Sequence, residues 1–222
     1  MKTLIEMILA TSLIASVCLA QNSGEASVKA MPQSVVKTVP VAGDAPVILI
    51  YSTIGYPPPV RPGESNPNIS PRLVAALWND GRMIWSESRI AGGPPHRQGR
   101  FTGERLVSLL GSLEAQGAFT NAALRRPWFG PDSKTTRIAI NDGRRRLMLE
   151  SWHELYEQNS NTVATAAGLE PLQGRNREAV LREQPEEYRQ FRNTWSEIRR
   201  SVEALIPRHG EPYGGKIPIP DK

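Results

Sequence analysis

His153 and His96 are the residues whose surroundings could do chemistry. His153 stands in Ser151-Trp152-His153-Glu154, directly after a strand-like run, with a second carboxylate at Glu157. An imidazole beside a carboxylate can serve as the general base of a hydrolase or ligate a metal. The spacing lacks the second histidine four residues on that a zinc protease helix requires, so no metal site is expected. A histidine at a strand end more often caps a turn or bonds a backbone carbonyl. His96 lies in Gly92-Gly93-Pro94-Pro95-His96-Arg97-Gln98-Gly99-Arg100, read as an irregular connection. Such a loop could hold a carboxylate or phosphate through the guanidinium groups of Arg97 and Arg100, although it lacks the glycine spacing and lysine of a phosphate loop.

If His96 and His153 converged with Asp132 or Glu154, a catalytic or metal-binding cluster would become credible. Trp128, in Arg126-Pro127-Trp128-Phe129-Gly130-Pro131-Asp132, is a candidate recognition aromatic, weighed against simple packing over the end of the core. No Gly-x-Ser-x-Gly elbow, nucleotide fingerprint or paired-carboxylate signature is present, and no cofactor is expected.

The elements that must position these residues are announced by turns and periodicity. Asn-Asp-Gly-Arg occurs at 79–82 and again at 141–144, each copy between apolar runs, and Asp-Gly supplies the positive φ angles of a tight hairpin turn. A two-residue loop at the first copy sets Leu77 against Ile84 and Trp78 against Met83. At the second it sets Ile138 against Leu147 and Thr136 against Leu149. Val47 to Ile54 form a further strand, apolar on both faces. The prolines and glycines between Tyr56 and Pro71 predict a long surface loop.

A helix is predicted over 103–117, with Thr102 as N-cap, Leu106, Val107, Leu109, Leu110 and Leu113 on its apolar face, and Phe119 folding back beyond Gly117. Tyr188, Phe191, Trp195, Ile198, Val202 and Leu205 mark a long C-terminal helix between Pro185 and Pro207, preceded by a shorter piece over 177–183. Gln-Gly-Arg recurs at 98–100 and 173–175, each time ahead of a helical region, which raises a duplicated hairpin-helix unit.

Residues 1–20 have the form of a secretory signal: Lys2, an apolar stretch from Met7 to Leu19, and small residues before a cleavage point after Ala20. The stretch is shorter than the roughly 20 residues needed to span a bilayer, so no transmembrane helix is expected in the mature chain. Lipidation at Cys18 is disfavoured because Ala15-Ser16-Val17 lacks the usual leucine and small final residue. Cleavage would remove the only cysteine, leaving a disulfide-free protein.

Residues 21–45 read as a flexible linker, 46–207 as a single domain, and 208–222 as a Pro/Gly-rich tail that is loose or draped over it. The net charge is +5, with 27 basic residues. Most arginines of the last long helix alternate with glutamates, the pattern of a solvated helix face. The run Arg144-Arg145-Arg146 reads as a charged hairpin end, which weighs against nucleic acid.

These features predict an α+β domain in which an antiparallel sheet of about five strands, two hairpins plus the N-terminal strand, packs against one central helix and the C-terminal helix. They favour an exported protein of bacterial type, periplasmic or extracellular, that binds a protein or an envelope component without catalysis. The alternative is a hydrolase using His153 with a nearby carboxylate.

Overall fold

The computed structural model of the chain describes residues 45–53, 71–128, 134–158 and 161–219, all within the compact unit Thr38–Lys222. The expected signal, nearly all of the linker, most of the 56–71 loop and Asp132 lie outside the described residues.

The fold is α+β and is built on seven antiparallel strands: β1 (Ile48–Thr53), β2 (Arg72–Leu77), β3 (Arg82–Ser86), β4 (His96–Arg100), β5 (Thr135–Asn141), β6 (Arg146–Ser151) and, after the helices, β9 (Glu211–Tyr213). Their order is β6-β5-β1-β2-β3-β4-β9. The apolar run of β1 takes a central place between β5 and β2. Ile48 and Ile50 point into the main core, while Leu49 and Tyr51 join a second cluster with Leu73, Ala76, Trp78 and Ile84 on the opposite face.

The sheet is larger than the five strands expected, because two segments read as irregular extend it. His96–Arg100 pairs with β3 along its whole length, and Glu211–Tyr213 pairs with β4. Residues 211–213 are therefore part of the sheet, and Ile217 and Ile219 pack on the second cluster. Pro212 at the centre of the short edge strand β9 removes a ladder donor. A separate ribbon, β7 (Thr162–Thr165) with β8 (Gly168–Pro171), has its own small core of Val163, Leu172 and Val180.

Both hairpins form, with longer loops than side-chain pairing suggests. In the first, Leu77 faces Met83 and Ala76 faces Ile84, and Trp78 N–H donates to the Arg82 carbonyl at 2.9 Å. Asn79, Asp80 and Gly81 thus form a three-residue loop. Asp80 closes it by accepting from the backbone N–H and Nε of Arg82, and Gly81 sits at φ +83°, where a Cβ would lie 2.6 Å from the Phe101 carbonyl oxygen. The extra residue swaps faces along the strand, at little cost here because β2 and β3 are apolar on both sides.

In the second hairpin Ile138 faces Leu149, Ile140 faces Leu147 and Thr136 faces Ser151. The loop is the four residues 142–145. Asp142 holds it, one oxygen accepting from the N–H groups of Arg144 and Arg145 and the other from Arg145 Nε. A shift of two residues preserves the faces, so the leucines stay inside.

The helices α1 (Gly103–Ala115), α2 (His153–Tyr156), α3 (Arg177–Arg182) and α4 (Glu186–Leu205) complete the fold. Leu106, Leu109, Leu110 and Leu113 of α1 share the main core with the apolar stripe of α4 and the inner face of the sheet. Thr102 occupies the N-cap without a side-chain bond, and Val107 is exposed rather than on the apolar face. α1 ends as predicted: Gly117 at φ +71° lets Gly117 N–H reach Glu114 and Ala118 N–H reach Leu113. All six residues of the 3-4 pattern in α4 are buried, each worth about 1.5–3 kcal/mol of transfer free energy. The two Gln-Gly-Arg tripeptides differ in structure. The first lies inside β4, the second in a turn where Gln173 has φ +49°.

Candidate functional site

His153 opens α2 and is buried, 3% exposed. Its Nδ1 lies 2.7 Å from Ser151 Oγ, which also accepts from the His153 backbone N–H. The ring meets Trp195 edge-on at 5.0 Å. Burial, reinforced by repulsion from Arg192 and Arg199, pushes its pKa well below the usual 6.5 and keeps the imidazole neutral.

The carboxylates expected beside it are engaged elsewhere. Glu154 accepts from Arg199 Nε at 2.8 Å. Glu157 takes a bidentate pair from Arg192 at 2.8 Å on both arms and accepts the Ala164 N–H. A serine bonded to an imidazole has the form of an activated nucleophile, but Ser151 is 1% exposed and a substrate would have no route to it.

His96 lies on β4 opposite Ser86 and Tyr213, its Nε2 buried without a partner among the described residues, and burial lowers its pKa. Arg97 and Arg100 are three apart on this strand and emerge on opposite faces, so they do not form the paired clamp a loop would have allowed. Arg97 bonds Glu87 and the Gly210 carbonyl. Trp128 is an anchor: it packs edge-on against Tyr188 at 4.7 Å, Arg126 stacks on it, and its backbone N–H donates to the Glu150 carbonyl near the end of β6. Among the described residues no group of three or more His, Cys, Asp or Glu side chains converges on a metal position, and no helix is long and apolar enough to cross a membrane.

Arg100 leads to a cavity. On the outer face of the sheet a cleft of about 710 Å³ lies between β3, β4, β9 and the chain that follows. Trp78 and Ile84 supply apolar surface, Tyr213 and Pro218 a wall, and Arg82, Arg100 and Lys216 the cationic groups, with His209 beside them and Glu211 the one carboxylate among the described residues of the lining. The three-residue turn builds its polar end. It brings Arg82 across from Trp78, with the guanidinium 5.2 Å from the ring, and Arg82 is directly opposite Arg100 on the next strand.

Two like charges in that position repel, and Asp80 is shared between them. Its carboxylate pairs with Arg82 and its carbonyl accepts from Arg100 at 3.0 Å. The burial penalty on Asp80 is outweighed by the Arg82 hydrogen bonds and the charges of Arg82 and Arg100 together, so its pKa is lowered. Tyr213 Oη donates to the Lys216 carbonyl at 2.7 Å and shapes the turn that sets Lys216 on the rim.

Sequence reasoning picked out Arg100 and missed Trp78, Arg82, Tyr213 and Lys216. The available signal was the two-sided apolarity of 72–77 and 83–85, which requires cover on the outer face, together with Ile217 and Ile219 in the C-terminal segment. No protein-family model matches the chain, and comparison with curated proteins and with solved structures finds no match.

Proposed function

We propose that this chain is an exported, non-catalytic binding domain, carried past the membrane by residues 1–20 and tethered by 21–45, that holds its ligand in the cleft on the outer face of the sheet. The observation that carries the reading is the cleft itself, a concave surface in which apolar side chains lie beside convergent polar groups, as they do in ligand sites. The burial of His153 and the commitment of Glu154 and Glu157 to arginines favour binding over hydrolysis. In a bacterial host, a tagged full chain should fractionate to the periplasm or medium, and a chain lacking residues 1–20 should stay inside. Immobilised protein should retain envelope material that the Arg100→Gln, Lys216→Gln double variant releases. Equal retention by both proteins would remove the cleft from the function.

A further inference from the structure

Resting on that reading of the cleft, we propose that its ligand is a small amphipathic organic anion. A carboxylate or similar head would lie among Arg100, Arg82 and Lys216, and an acyl or aromatic body along Trp78, Ile84 and Tyr213. The charge balance carries this assignment. Among the described residues, Arg82 and Arg100 face one another across β3 and β4 with one carboxylate, Asp80, between them, and that carboxylate is ion-paired to Arg82 and not to Arg100. Arg100 makes one hydrogen bond among the described residues, to a carbonyl, which leaves most of its N–H donors open. Among the described residues Lys216 Nζ makes no hydrogen bond or ion pair, and the one opposing charge in the lining is Glu211.

An anion seated here would relieve the cross-strand repulsion and accept charge-assisted hydrogen bonds. Below it, Trp78 and Ile84 belong to the apolar cluster of the outer face, a surface suited to a hydrocarbon chain or flat ring. The volume, about 710 Å³, matches a ligand of that size rather than a protein.

The test is calorimetric titration of the full chain with three probes of equal chain length: octanoate, octanol and octylammonium. Octanoate is expected to bind at least about tenfold tighter than octanol, with octylammonium weakest, and Arg100→Gln or Lys216→Gln to reduce octanoate binding by about tenfold. Lys216→Gln changes a side chain without a partner among the described residues, so it keeps the test valid should the Arg100 variant unfold. Octanol binding as tightly as octanoate, or octanoate binding unchanged in both variants, would overturn the anionic ligand and leave the cleft as a binding site. Failure of all three probes to bind would overturn the cleft reading as well.

Discussion

His153 should make this protein acid-sensitive in a window set by one imidazole. In the folded chain the ring is buried against Trp195 and bonded to Ser151, with Arg192 and Arg199 from α4 opposing a positive charge and Glu154 paired away to Arg199. Its folded pKa is therefore depressed well below the value of 6.5 expected when unfolded. A base whose pKa falls on folding is protonated more readily in the unfolded chain. The stability it permits is thus fully present above 6.5 and is lost as pH falls below that value. While the folded imidazole stays neutral, the loss is about 1.4 kcal/mol per pH unit, tenfold in the folding equilibrium.

Urea unfolding of the wild type and His153→Asn, from about pH 7.5 to about pH 5, isolates this contribution, since Asp80 and Asp142 have lowered pKa values and titrate beneath that range. The smaller effect of His96 has the same sign and cancels in the difference. Asn can keep a polar partner for Ser151 without titrating. The wild type should lose stability across the interval and the variant should lose markedly less. Equal slopes would refute the account of a neutral imidazole locked in the core.

Glu157→Gln should destabilise by about 3–5 kcal/mol, because it leaves Arg192 buried and uncompensated, and the added substitution Arg192→Met should recover much of the loss in a double-mutant cycle by thermal melting. Asp142→Ala should cost about 1–2 kcal/mol through two backbone N–H groups and one guanidinium left without their acceptor. Asp142 has a depressed folded pKa, so its contribution is present above 3.8 and lost as pH falls through the folded value, and chemical denaturation below about pH 4 should show the variant converging on the wild type. Gly81→Ala should cost about 1–3 kcal/mol, from a positive φ and a Cβ placed 2.6 Å from the Phe101 carbonyl oxygen, whereas Gly111→Ala, with open space around it, should be neutral or stabilising in the same melt.

What the sequence revealed of this fold follows where the physical constraint was local. The stripe Tyr188-Phe191-Trp195-Ile198-Val202-Leu205 could point only one way on a helix, and all six residues are buried. Gly117 could be read as a helix terminator because the left-handed conformation is a property of that residue. His96–Arg100 was opaque for the opposite reason: His, Arg, Gln and Gly show no apolar alternation, and the strand exists because β3 and β9 supply ladders on both sides. The pairing of Arg192 with Glu157 joins residues 35 apart, and no sequence period links them.

The cleft shows how much can turn on a single residue of register. With the two-residue turn that Asp-Gly suggests, Trp78 would stand across from Met83, and Arg82 would pair with Asn79. The observed turn is longer by one because Asp80 accepts both from the Arg82 backbone and from its guanidinium, bonds that set Arg82 opposite Trp78 instead of Asn79. Trp78 then faces Arg82, Arg82 faces Arg100, and an aromatic and two guanidiniums lie in a row on the outer face of the sheet. Hydrophobic pairing had no power to choose between the two registers, since β2 and β3 are apolar on both sides and either choice buries comparable side chains. The carboxylate of Asp80 decides, and the residue that closes the first hairpin is the same one that assembles the charged end of the cleft.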